Sequence, residues 1–257
     1  MNRMQSEWQR LFAADSPQDD RLTTSLIDAV GRTRALVIEW GRPADWRTLA
    51  TLWHESQSAF DWPAPLIAVN GKDAFQLWFP LAHAVPVELA HQVAAAMVAR
   101  WLPQSPADAL ARRAMCWPEP GPDGVWRHAQ VVPARMPGHE VRWSAFVSPD
   151  LAAVFDDEPV LDLEPGRDAQ ADLMVRHRCI DEAAWARACQ ILLSDVTPAV
   201  PVPVPESTGD MTRLPLSASS ALAGPYGDPA EFLRAVMNHP AVPLAQRIKA
   251  ARALLAK

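Results

Sequence analysis

The sequence predicts an α+β fold: a mostly antiparallel central sheet flanked by helices, then a Pro-rich extended linker and a C-terminal helical hairpin. Three observations carry this expectation. Runs of β-prone residues alternate with apolar residues at helical spacing over residues 1–196. Six prolines fall among small residues in 197–226, where alternating Val-Pro removes the amide donors an interior strand needs. Residues 227–257 then return to a helical pattern, too short for a core of its own.

The elements follow in order. A helix is expected over Ser6 to Ala14, and a second around Arg21 to Val30, stopped by Gly31 as a C-cap. "ALVIEW", Ala35 to Trp40, reads as a buried strand. Asp45 caps a helix whose Trp46, Leu49, Trp53 and Phe60 share a face. "PAPLIAV" gives a short strand, and Asn70-Gly71 a turn. In the strand that follows, Phe75, Leu77, Phe79 and Leu81 point one way, and Gln76 and Trp78 the other. Val87 to Trp101 is a helix, and Ser105-Pro106 opens a shorter one. "VWRHAQVV", Val125 to Val132, and "RWSAFV", Arg142 to Val147, are expected strands. Ser148-Pro149-Asp150 starts a short helix ending near Phe155, and Asp181 caps one that turns Trp185, Ala188, Cys189 and Leu192 inward. In the tail, Asp228 is the expected cap, Pro229 the first helical residue, and Glu231 the residue that completes a capping box.

Composition narrows the function classes. The chain has 257 residues, 49% hydrophobic and 21% charged, which suits a globular protein with one principal core. No apolar run approaches the roughly 18 residues of a membrane span, and the first residues lack a signal-peptide core, so no membrane partner is expected and the cytoplasm is the expected location. Three cysteines without a close pair argue against a disulfide framework. The net charge of −6 is the wrong sign for a protein that grips phosphate along its whole surface. The charge is uneven: Arg100 to Arg142 holds six arginines against four acids, and Asp150 to Asp172 holds eight acids against Arg167 alone. Within that stretch Asp156, Asp157 and Glu158, with Asp162, Glu164 and Asp168, are read as a solvated acidic loop, since their spacing matches no calcium loop.

No phosphate loop, dinucleotide fingerprint, nucleophile elbow, Cys-x-x-Cys or His-Glu-x-x-His occurs. No catalytic residue, metal or cofactor is therefore assigned. His83 and His91 are read as surface residues. Eleven tryptophans invite a stacking surface. Packing accounts for those on helix faces. Trp78, Trp126 and Trp143 would form a platform if they shared an open face with Arg127 or Arg142.

The order of "ALVIEW", the helix after Asp45, "VNGKDAFQLWFPL" and the helix after Val87 resembles the archaeo-eukaryotic primase superfamily, above all the polymerase domain of bacterial end-joining ligases. About 70 residues match clearly in this order, and about 170 loosely. The resemblance implies that the strands at 35–40, 74–81 and 125–132 are neighbours in one sheet. It implies a degenerate site as well. The family's paired strand carboxylates, which hold the ions of a two-metal transfer, are reduced to Glu39. Its phosphate-facing histidine aligns with Gln76, which cannot carry charge, and its later carboxylate strand aligns with the stretch holding His128. The candidate binding residues are Glu39, Asn70, Lys72, Gln76, Trp78, Arg127 and His128. The implied function is a non-catalytic, nucleic-acid-related binding or accessory module. The tail is similar to short helical segments of phage-related proteins, which suggests a mobile-element link. The competing reading is a protein-interaction scaffold that uses the Pro-rich segment and tail hairpin. The implied partners are a nucleic acid or nucleotide, or another protein.

Overall fold

The computed structural model describes residues 2–13, 25–102, 112–138 and 141–194. The helix expected after Ser105, the Pro-rich linker and the tail hairpin lie outside these residues.

The described helices are α1 (Arg3–Phe12), α2 (Trp46–Phe60), α3 (Val87–Trp101), the single turn α4 (Pro149–Ala152), α5 (Arg167–Met174) and α6 (Glu182–Ser194). The strands are β1 (Arg32–Gly41), β2 (Leu66–Val69), β3 (Ala74–Pro86), β4 (Ala114–Trp117), β5 (Glu119–Pro120), β6 (Trp126–Arg127), β7 (Ala134–Arg135) and β8 (Trp143–Val147). Six of them form one antiparallel sheet in the order β4-β1-β3-β2-β8-β7, as the α+β reading expects.

Both sheet faces are covered, because alternate residues of β1 and β3 feed two separate cores. Leu36, Ile38, Trp40, Phe75, Leu77 and Phe79 pack with α2, α3 and α6 through Leu49, Phe60, Met97 and Trp185. Ala35, Val37 and Trp78 pack on the other side with Leu11 and Phe12 of α1, Met174 of α5, and Ala129 and Val132 of a loop. Trp46 and Trp53, expected in the buried face of α2, are only half-buried; Leu52 and Ser56 complete that face.

Local chemistry sets several boundaries. α1 starts three residues earlier than expected because Asn2 and Gln5 form a reciprocal capping box, with both bonds at 2.9 Å. Residues 25–30 are not the end of a helix. The Asp28 carboxylate accepts the amides of Val30 and Arg32, Gly31 takes a positive φ of 75°, and Ile27 bridges Thr33, so the segment turns directly into β1.

The stretch Val125 to Val132 is not a strand of the main sheet. Only Trp126–Arg127 is extended, and it pairs with β5 in a separate two-stranded sheet. The carbonyls that a ladder would have used are taken by side chains: Trp8 Nε1 donates to Val132 at 2.8 Å and His128 Nδ1 to Ala129 at 2.8 Å. The three strands at 35–40, 74–81 and 125–132 are therefore not all neighbours; β1 and β3 are.

α5 begins at the end of the expected acidic loop, which gives way to helix at Arg167. Its buried Gln170 presents a carboxamide to the edge of β8, accepting from Phe146 N at 2.8 Å and donating to Phe146 O at 3.0 Å. One side chain thus pairs with the strand where β7 stops short.

Candidate functional site

β1 and β3 run antiparallel in a register that sets Glu39 directly opposite Gln76. Both side chains point into the core that α1 covers. Glu39 is 5% exposed, Gln76 3% and Trp78 fully buried. Trp78 packs among Phe12, Trp8 and Phe146, with ring centroids 5.2, 6.1 and 5.9 Å away.

A polar group in that setting needs partners, and Trp78, Gln76 and Glu39 supply them to one another. Trp78 Nε1 donates to Gln76 Oε1 at 2.9 Å. Gln76 Nε2 donates to Glu39 Oε2 at 2.8 Å. The other carboxylate oxygen, Oε1, accepts from the Arg42 guanidinium. Arg42 also lies against Met115 Sδ and 3.9 Å from the Asp73 carboxylate. The result is a closed chain from indole to carboxamide, carboxylate and guanidinium. Gln suits its middle because it offers an acceptor to the indole and a donor to the carboxylate.

Arg42 closes the chain from an unusual backbone. Its φ is 62°, a left-handed conformation that costs a side-chain-bearing residue roughly 1–2 kcal/mol. The guanidinium ion pair and the bond from Arg42 N to Asp73 O at 3.1 Å hold it there. Sequence reasoning missed Arg42. Its one sequence signal is a position three residues beyond Glu39, and the strand reading hid that because a continuing strand would not fold it back.

The Asn70–Lys72 turn is also internally complete. Asn70 Oδ1 accepts three consecutive backbone amides, from Lys72 at 2.9 Å, Asp73 at 2.9 Å and Ala74 at 3.0 Å. Such a nest of amides suits an anion, but here the carboxamide fills it. Gly71, at φ 79°, packs so closely on β8 that a Cβ would lie 2.7 Å from Met136 and 2.8 Å from the Ser144 amide. The Lys72 side chain points to solvent.

Arg127 and His128 are on and beside the small sheet, not in the chain. Arg127 pairs with Glu119 across β5 and β6. The sequence candidates thus split into three places: Glu39, Gln76 and Trp78 in the core, Asn70 and Lys72 in the turn, and Arg127 and His128 by the small sheet. The stacking platform does not form. Trp78 is in the core, Trp143 is on β8, and Trp126 packs edge-on to His91, 5.7 Å away. His91 itself is half-buried, with Nδ1 donating to Pro118 O at 2.8 Å.

Other arginines are tied to backbone as well. Arg34 donates to Leu81 O, Ala13 O and Arg10 O at 2.9–3.1 Å, and Arg10 to Met174 O and His177 O at 3.1 Å. Each guanidinium therefore caps carbonyls at the end of a helix, where positive charge is favoured. Arg113 lies 4.5 Å over the Trp40 ring and bonds Gly41 O, Pro43 O and Asp45.

No family model, curated protein or solved structure matches the chain. Among the described residues, no three His, Cys, Asp or Glu side chains group so that they could hold a metal ion, and no helix is long and apolar enough to cross a membrane.

Titratable groups follow their surroundings. Burial pushes the Cys116 thiol up to about 12, with Glu119 adding to it, and pushes Cys189 up to about 11. Burial opposes ionisation of Asp45, but the bonds from Thr48 and the charge of Arg113 outweigh it and hold the carboxyl below its ordinary value. His177 is held below its ordinary value by burial, and by Arg10 and Arg176, against the bond from Nδ1 to Ala64 O.

Proposed function

We propose that this chain is a non-catalytic binding or accessory module whose partner is a protein. The observation that carries the reading is the closed chain Trp78–Gln76–Glu39–Arg42. Both carboxylate oxygens of Glu39 and both polar atoms of Gln76 are used inside the fold, so no ligand is needed to satisfy them. Ligand contacts then belong to the outer surface. Arg10, Arg34, Arg42 and Arg113 are engaged by carbonyls and carboxylates of the chain itself, which leaves fewer cations for a phosphate track. With a net charge of −6, that balance favours a protein over a polyanion.

The second reading is a degenerate primase-polymerase-like module acting on nucleic acid, with a mobile-element link. The adjacency of β1 and β3 supports it, with Glu39 opposite Gln76. The separate placement of Trp126–Arg127 counts against it.

Two measurements on the full chain separate these readings. Anisotropy with labelled single-stranded DNA and RNA is compared at about 50 and about 200 mM salt, an interval over which phosphate-dominated binding weakens roughly 10³-fold or more. The protein-partner reading expects no salt-sensitive binding. A nuclease-treated pull-down then keeps its partner under this reading and loses it under the second. Nucleotide incorporation with manganese would contradict both.

A further inference from the structure

We draw no further inference here: the strongest candidate, the acidic surface segment around α4 in which the exposed Leu151 and Val154 sit between Asp150 and the Asp157-Glu158 pair, carries nothing because no feature of the structure shows what covers it.

Discussion

Replacing Gln76 with Leu keeps nearly the same volume and removes both polar atoms from the middle of the buried chain. The carboxylate of Glu39 then loses a neutral donor, and the Trp78 indole loses its acceptor while fully buried. A hydrogen bond to a charged group is worth about 1.5–3 kcal/mol, and a stranded buried donor costs about 1–3 kcal/mol. The leucine returns roughly 1–2 kcal/mol of apolar burial. The net expected loss is about 2–4 kcal/mol. Urea unfolding followed by tryptophan fluorescence reads this directly. With a slope of about 3 kcal/mol per molar, the midpoint falls by roughly 1 M with the slope unchanged. A double-mutant cycle with Glu39→Gln should return a coupling energy above about 1 kcal/mol, because the two side chains share one bond. A Gln76→Leu protein within about 0.5 kcal/mol of the parent, with additive effects in the cycle, would mean that Gln76 does not bridge Trp78 and Glu39. It would then be a replaceable or ligand-facing residue.

Further outcomes follow from the packing and the titrations. Gly41→Ala places a Cβ 2.3 Å from Ala74 Cβ and 2.4 Å from Asp73 O, so a loss of more than about 2 kcal/mol is expected in the same urea assay; adding Ala74→Gly should recover only part of it, and an unperturbed single variant would show that β1 and β3 are not this close. His177 has a lowered pKa, so the unfolded chain takes up its proton first as pH falls below the ordinary value near 6.5. Stability is therefore full above that value and declines below it until the folded pKa is reached; His177→Asn should flatten this slope in denaturation series across the interval, and an unchanged slope would exclude His177 as its source. Iodoacetamide at about pH 8 should label Cys116 and Cys189 much more slowly in the folded protein than in guanidinium, because both thiols are held above their ordinary pKa; labelling of either at the rate of a free thiol would contradict this.

The division of the sheet into two faces was legible because alternation along 74–81 and the apolar run 35–40 reflect burial directly. The caps at Asp45 and Asp181 were legible too, since each carboxylate accepts an amide three residues on, Thr48 N at 3.0 Å and Ala184 N at 2.8 Å. Other features have no local signature. The apolar residues of Val125 to Val132 look like strand residues, but Ala129 and Val132 enter a core as loop residues and their carbonyls bond side chains. α5 hid within an acid-rich stretch because one of its three inward residues is Gln170, whose partner is 24 positions away. Gln76 was recognisable as a polar residue inside a strand. What satisfies it was not, because the answer depends on cross-strand register and on the left-handed turn at Arg42, both set by tertiary structure.

Hydrogen exchange of the Trp78 indole, followed by NMR in protein carrying ¹⁵N-tryptophan and assigned with Trp78→Phe, tests the closed polar chain most directly. This proton is expected to exchange only through global unfolding, with a protection free energy that tracks urea stability. Exchange within minutes under native conditions, at the rate of an exposed indole, would contradict it and reopen Gln76 and Glu39 as a ligand site.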